Sequence, residues 1–395
     1  MNLNENTRIA IISHFTFKED ENTEIFPGNI RNFLLKTVGQ ITYIDHPFIQ
    51  SQGASSDFPA SQLRIYNQGV KTYQATSPKI KFPTLILFVY QLLLTILFIL
   101  RYPVKYDLCI ACDNLSLISV FLFRKIGLIK KLIYYTVDYS PNRYSNPILN
   151  NLYHFMDRLA CRISDLNWVV VENMITAKEE NGLNVKKCAP FQIVPIGFNK
   201  EEIKVKPTGD VNRFNLIFIG ILFEKQGIQL IIKALPRLIE KFPKINLTII
   251  GSGPFEDQIK TLVKNNNLSS HVEFTGYINN HQDVIKYITA NGGIGLATYI
   301  PSIADYTYFA DPSKIKLYLL CGLPVITTKV PPIAKEIAEK KAGFAIDYSE
   351  EELIDSLNVL LEDANTYSKF RENALKLAKA FDINLILNEA FKKLP

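Results

Sequence analysis

The sequence predicts an α/β protein made of two parallel-sheet domains, and three observations predict it. Short apolar runs rich in Ile, Val and Leu alternate with helical segments, the rhythm of βαβ units that build parallel sheets. The chain has 395 residues, enough for two domains that each bury a core of their own. Between two such series lies a polar stretch, residues 200–213 (KEEIKVKPTGDVNR), whose Pro and Gly mark a linker. A hydrophobic content of 47% with 21% charged residues excludes a disordered chain. The net charge of +6 is mild for this length and hints at anionic lipid or phosphate contact rather than nucleic acid, with an ordinary solvated surface as the plainer alternative.

In the amino-terminal half, residues 8–13 read as a buried strand, followed by a charged loop at 18–24 and a helix at 27–35 introduced by Pro27-Gly28. His14 follows that strand at the sheet edge where α/β proteins bind ligands, with a structural histidine as the plainer alternative. A strand at 40–44 ends in the Asp45-His46-Pro47 turn, and residues 50–81, rich in Ser, Gln and Gly, read as a long surface excursion. Residues 85–100 form the most apolar segment, which as a helix spans roughly 24 Å against a hydrocarbon core of ~30 Å. Thr84, Gln91 and Thr95 share one narrow stripe, so the rest of the circumference needs cover on more than one side. A buried crossover helix is the plain reading. The sharper one is peripheral membrane contact through residues 79–105, with Lys79, Lys81, Arg101 and Lys105 meeting headgroups.

A strand at 107–111, a helix at 115–127 and a strand at 131–136 continue the rhythm, leaving Asp138 and Tyr139 at the ligand edge. Of the five cysteines, Cys109 and Cys112 form a C-x-x-C pair inside a strand, where positions three apart face opposite sides. Buried thiols in a reducing cytoplasm are therefore expected, not a metal or redox centre. The polar start MNLNENTR and the short apolar run after it read as no cleavable signal. A helix at 143–161, strands at 168–171 and 191–194, and a helix at 174–181 complete the first domain.

The second series opens with a strand at 215–220 and the turn ILFEKQG. Next come a strand at 247–250 with Gly251-Ser252-Gly253-Pro254, one at 272–275 with Gly276-Tyr277-Ile278, and one at 292–298. Asp311-Pro312-Ser313-Lys314 reads as a helix start, with Asp311 able to cap and Pro312 at the first helical position. Such a start aims N–H groups and a positive dipole end outward, and Lys314 adds a full charge, which together describe an anion site. Strands at 323–327 and 343–346 and helices at 350–362, 366–379 and 383–393 finish the chain.

The segment PSKIKLYLLCGLPVITT resembles the donor-site segment of glycosyltransferases with the GT-B fold, above all family 4 (group 1), in which P-x-K leads into a helix ending A-x-G-x-P-V-I. ILFEKQG falls where that family has G-R-L-x-x-x-K-G, GSGP resembles its G-x-G-P/E turn, and VEFTGYI its V-x-F-x-G-x-V strand and loop. The chain departs from the pattern at Ile221, where the family has Arg, at Leu317, where it has Glu, and at Phe309, where its first acid would fall, with Asp311 and Asp305 nearby as substitutes.

The resemblance implies two Rossmann-like domains facing a central cleft: residues 1–200 on the acceptor side, 201–380 on the donor side, and a terminal helix at 381–395 crossing back. It implies a glycosyltransferase of the hexosyltransferase class, moving a sugar from a nucleotide-sugar donor to a glycan or lipid-linked acceptor. The reaction would retain configuration, pass through an oxocarbenium-like state and need no metal, as no D-x-D triad is present. Catalytic roles fall to Asp138, Asp311 and Lys314. Donor contacts fall to Gly220, Lys225, Gly251, Ser252, Gly253, Tyr277, Ile278, Pro312 and Ser313, and acceptor contact to His14. No cofactor is expected, since the nucleotide-sugar is a substrate, and no nucleic-acid partner. The expected location is the cytoplasm, with peripheral attachment to the inner face of the membrane. An inactive sugar-nucleotide-binding partner subunit and a GT-B sugar-nucleotide epimerase are the alternatives.

Overall fold

The computed structural model describes residues 3–16, 26–47, 60–80, 82–301 and 306–394. The charged loop at 18–24, Lys81 and Asp305 lie outside them. The chain divides into two compact units, one running to Ile196 and resuming at Asn384, the other Gly197–Ile383.

The first unit is built on an eight-stranded sheet: β1 (Arg8–Thr16), β2 (Gln40–Pro47), β3 (Gln62–Asn67), β4 (Val70–Thr76), β5 (Leu108–Ala111), β6 (Leu132–Thr136), β7 (Leu166–Val169) and β8 (Phe191–Ile193). Their order is β4-β3-β2-β1-β5-β6-β7-β8. From β2 to β8 all neighbours run parallel, and every residue of β5, β6 and β7 is buried, which is why these strands read as unbroken apolar runs.

The surface excursion expected at 50–81 is corrected over its described part, where β3 and β4 form an antiparallel hairpin on the edge of the sheet. Gln68 and Gly69 make its two-residue turn with φ of 48° and 80°, the left-handed pair that matches strand twist. Composition hid it because β4 is a mostly exposed edge strand of polar residues.

The helix Thr84–Arg101 is turned inside out. Gln91 and Thr95 are fully buried, whereas Leu85, Ile86, Val89, Leu93, Leu97 and Leu100 are each about half exposed or more. Hydrogen bonds drive the choice: Gln91 Nε2 donates to Pro47 O at 2.9 Å, and Thr95 Oγ1 lies 2.7 Å from His46 Nε2 while donating to Gln91 O. The inward amide N–H of Gln91 and the hydroxyl of Thr95 are thus engaged and the apolar stripe is left uncovered, so the expectation of apolar burial on several sides is corrected. Among the described residues no helix is long and apolar enough to cross a membrane.

Within the first unit the terminal segment is held by aromatic packing, Phe391 stacking on Phe33 and meeting Trp168 edge-on at 5.4 Å. Cys109 and Cys112 are buried free thiols, and burial pushes both thiols up.

The second unit carries six parallel strands: β9 (Asn215–Ile219), β10 (Asn246–Ile250), β11 (Val272–Gly276), β12 (Ile294–Ala297), β13 (Val325–Thr328) and β14 (Gly343–Ile346). Their order is β11-β10-β9-β12-β13-β14. The helix Ile228–Lys241 buries Ile228, Ile231, Ala234, Leu235 and Leu238 against this sheet, the spacing of one helical face. Each such Leu or Ile contributes about 1.5–3 kcal/mol of burial. The chain runs outward from β9 to β11, then returns to β12 on the other side of β9. That reversal opens a crevice at the carboxyl ends of β9 and β12, where α/β sheets bind ligands.

Candidate functional site

At that crevice the sheet is pried open by one side chain. β9 and β12 pair only through Ile294 and Gly295. Beyond them the buried Tyr318 hydroxyl accepts from Ile219 N at 2.7 Å and reaches Leu296 O at 3.4 Å, replacing a ladder bond. Gly295 makes room for it, since a Cβ there would meet the Tyr318 ring at 2.5 Å.

The turn after β9 is locked across the same gap. Gly227 has φ 73°, and a Cβ on it would lie 1.6 Å from Thr298 O, so only glycine fits. Thr298 Oγ1 donates to Gly227 O at 2.9 Å, and Ile300 N to Lys225 O at 3.0 Å. Gln226, buried in this turn at the position just before Gly227, accepts a hydrogen bond from Lys314 Nζ at 2.6 Å. Sequence reasoning missed Gln226 and Tyr318. The displaced Lys225 was the only signal for the first, and the second read as one more apolar helix residue.

Lys314 is the chemical centre of the arrangement. Its ammonium lies 4.5 Å from the Phe218 ring centroid and 4.9 Å from that of Tyr299, and has no carboxylate partner among the described residues. Desolvation brings its pKa down to about 7. Gly220, with φ 141°, abuts it, since a Cβ there would come within 3.2 Å of Nζ. The helix Ser313–Leu320 starts beside it with no side-chain cap, leaving its first N–H groups and dipole to an anion.

Two expectations are corrected here. Asp311 does not cap the helix, and Pro312 is the N-cap residue, with Ser313 the first helical one. Asp311 is buried in an ion pair with the buried Lys316, whose ammonium also lies 4.9 Å from the Phe381 ring centroid. Leaving Lys316 unpaired would cost far more than forgoing a cap, so the Asp311 carboxylate is engaged by that ion pair rather than by the helix start. Phe309 and Leu317 are buried, so no carboxylate stands at either acidic position of the family pattern.

Gly251 and Gly253 also have an architectural reason. A Cβ on Gly251 would meet Gly220 O at 2.0 Å, and one on Gly253 would meet Leu222 N at 2.6 Å. Leu222 N donates to Ser252 O and Gly220 N to Ile250 O, both at 3.0 Å, so the two strand-end loops are stitched together. The Ser252 side chain and Tyr277, 60% exposed, are open at this rim, with Ile278 partly buried behind it. Lys225 lies in the short turn Glu224–Gln226, its ammonium 5.9 Å from the Phe223 ring centroid.

The first unit holds its own groove, about 930 Å3 counting its open mouth. Its polar end has His14, Asp113, Asp138 and Arg143, and its apolar wall Leu85, Phe88, Leu152 and Met156. Asp138 is ion-paired with Arg143. Burial alone would lower the Arg143 pKa, but Asp138 holds it above its usual value. Asp113 caps the helix Asn114–Lys125 and lies 2.9 Å from His14 Nδ1. Burial would raise the Asp113 carboxyl, but the adjacent His14 ring and the hydrogen bonds from His14 and Ser116 hold it low.

The comparisons match this construction. The family model for "Glycosyl transferases group 1" matches residues 199–377, the second unit almost from end to end. A Haemophilus influenzae "Uncharacterized glycosyltransferase" is 22% identical over 276 residues, 69% of this chain and 72% of that one. A Campylobacter jejuni N-acetylgalactosamine-N,N'-diacetylbacillosaminyl-diphospho-undecaprenol 4-alpha-N-acetylgalactosaminyltransferase is 25% identical over 217 residues, 54% of each chain. Among solved structures, Anabaena HepE in complex with UDP superposes with a TM-score of 0.68 at 17% identity, over 98% of this chain and all of that one, a likeness of fold. The second unit therefore carries a group 1 glycosyl transferase domain, and the chain as a whole has the two-unit parallel-sheet GT-B fold of its solved neighbours.

Proposed function

We propose that the protein takes a sugar from a nucleotide-sugar donor of the UDP type held at the carboxyl end of the second sheet. It passes that sugar to a lipid-linked or glycan acceptor held in the groove of the first unit, without a metal ion and with retention of configuration. The observation that carries this is Lys314, an ammonium kept between two rings with no carboxylate partner among the described residues. A diphosphate supplies the missing charge, and the same contact strengthens as the leaving group gains charge. Lys225 and the open helix start at Ser313 are the further donors in this reading. The UDP complex of the Anabaena neighbour supports the donor class, and the diphospho-undecaprenol in the Campylobacter relative's name supports a lipid-linked acceptor.

The test is a screen of nucleotide sugars with polyprenyl-linked and glycan acceptors, read by nucleotide release and by the anomeric configuration of the product. One nucleoside-diphosphate sugar is expected to turn over. Nucleotide binding without turnover of any donor would favour the second reading, an inactive binding subunit. Two observations speak for that reading: Ile221, 47% exposed, stands in the place of the family's Arg, and the buried Leu317 stands in the place of its Glu.

The proposed location is the inner face of the membrane, with the stripe Leu85, Val89, Leu93, Leu97 and Leu100 dipping into the interface and the exposed Arg101 and Lys105 at its end meeting anionic headgroups. Val89→Ser with Leu93→Ser and Leu97→Ser is expected to cut binding to anionic vesicles more than about tenfold while leaving stability intact. Flotation with phosphatidylglycerol vesicles measures it, and equal flotation of wild type and variant would remove the membrane contact.

A further inference from the structure

In the groove of the first unit, His14 is 7% exposed and stacks on His46 at 4.7 Å. Its Nδ1 lies 2.9 Å from Asp113 Oδ2 and 3.0 Å from Ser116 Oγ, while Ser116 Oγ itself donates to Asp113 at 2.6 Å. Its Nε2 is buried without a hydrogen-bond partner among the described residues, on a ring that lines the groove. A buried polar atom left unpaired costs about 1–3 kcal/mol, which a bound ligand would recover. His46 does not compete for that ligand, since its two nitrogens are engaged by Ser61 and Thr95.

The chemistry of that ligand follows from the tautomer. Asp113 accepts only, so Nδ1 carries the hydrogen and the neutral ring presents a lone pair at Nε2. We infer that His14 Nε2 receives the reacting hydroxyl of the acceptor, that Asp113 is the positioning residue that fixes this polarity, and that the acceptor head at this end is a neutral polyol. The inference rests on the glycosyl-transfer reading above. Phosphate or carboxylate heads are disfavoured there, because the wall already carries Asp113 and Asp138, and the guanidinium of Arg143 is paired with Asp138. The apolar wall at Leu85, Phe88 and Leu152 takes the apolar part of the same molecule. In the transfer, the hydroxyl oxygen bonds to the anomeric carbon while the bond to the diphosphate breaks and its electron pair leaves with the diphosphate. The hydroxyl proton, directed by Nε2 until then, passes to the departing phosphate oxygen.

Asp113→Asn is the decisive variant. Asn caps a helix as well as Asp, so the fold is kept, but its amide donates to Nδ1 and turns Nε2 into an N–H. With the preferred acceptor at saturating donor, Asp113→Asn and His14→Ala are each expected to lower kcat/KM for the acceptor by about 10²-fold, with UDP affinity unchanged. His14→Gln, whose side-chain oxygen is a hydrogen-bond acceptor, is expected to recover part of the loss. Wild-type acceptor kinetics in Asp113→Asn, with UDP affinity intact, would overturn the inference alone. A wild-type protein that binds no nucleotide sugar would overturn the reading beneath it.

Discussion

Lys314→Met is expected to lower sugar transfer by about 10²–10³-fold, the usual effect of removing one preorganised donor to a developing oxyanion. Methionine keeps the packing between Phe218 and Tyr299, so the loss isolates the charge. A second signature follows from titration. In the free protein Lys314 loses its proton near pH 7, pushed down by desolvation. A bound diphosphate restores the charge, so binding takes up a proton above that pH and affinity falls as pH rises, approaching a tenfold loss per unit. Calorimetry in buffers of different ionisation enthalpy reads the proton uptake, and Lys314→Met is expected to abolish it. For the free protein, a lysine pKa below its unfolded value means that the folded chain binds fewer protons from about pH 7 upward. That penalty is fully present below pH 7 and is relieved as pH climbs toward the ordinary lysine range. Unchanged nucleotide affinity and pH slope in Lys314→Met would place the diphosphate elsewhere.

Asp311→Ala is expected to destabilise the second unit by about 3–5 kcal/mol, because it strands a buried ammonium at Lys316. Burial already pulls the Lys316 pKa down, with Asp311 opposing that shift. Pairing Asp311→Ala with Lys316→Met removes both charges and is expected to recover most of the loss, since a well-packed apolar pair replaces a buried ion pair at little cost. Denaturant unfolding measures both variants. A single variant as stable as wild type would show that Asp311 is not holding Lys316, and would reopen it as a free acid near the donor.

The strands were legible because parallel strands buried on both faces must be apolar throughout, as LCIA in β5 and LIYYT in β6 are. The hairpin of β3 and β4 was not, since an edge strand with one exposed face looks like polar loop. Lys314 was marked as a candidate by a lysine at a helix start, a pattern that local backbone chemistry imposes, whereas Gly220 was marked only through the family resemblance. Gln226 and Tyr318 were not, because their roles exist only across the gap between β9 and β12. Asp311 was misread for the same reason: a cap is a local event, whereas its actual partner is decided by what the helix buries.

By itself the order of residues determined two parallel-sheet units, because backbone propensity and apolar periodicity act over short spans. Only the folded arrangement decided which charges face a ligand and which are consumed inside. The helix Thr84–Arg101 shows why: its pattern admits either face inward, and the hydrogen bonds offered by Pro47 and His46 turned its polar stripe to the core and Leu85, Leu93, Leu97 and Leu100 outward. Burial sets the energy of a charge or a polar group, and burial belongs to the tertiary structure.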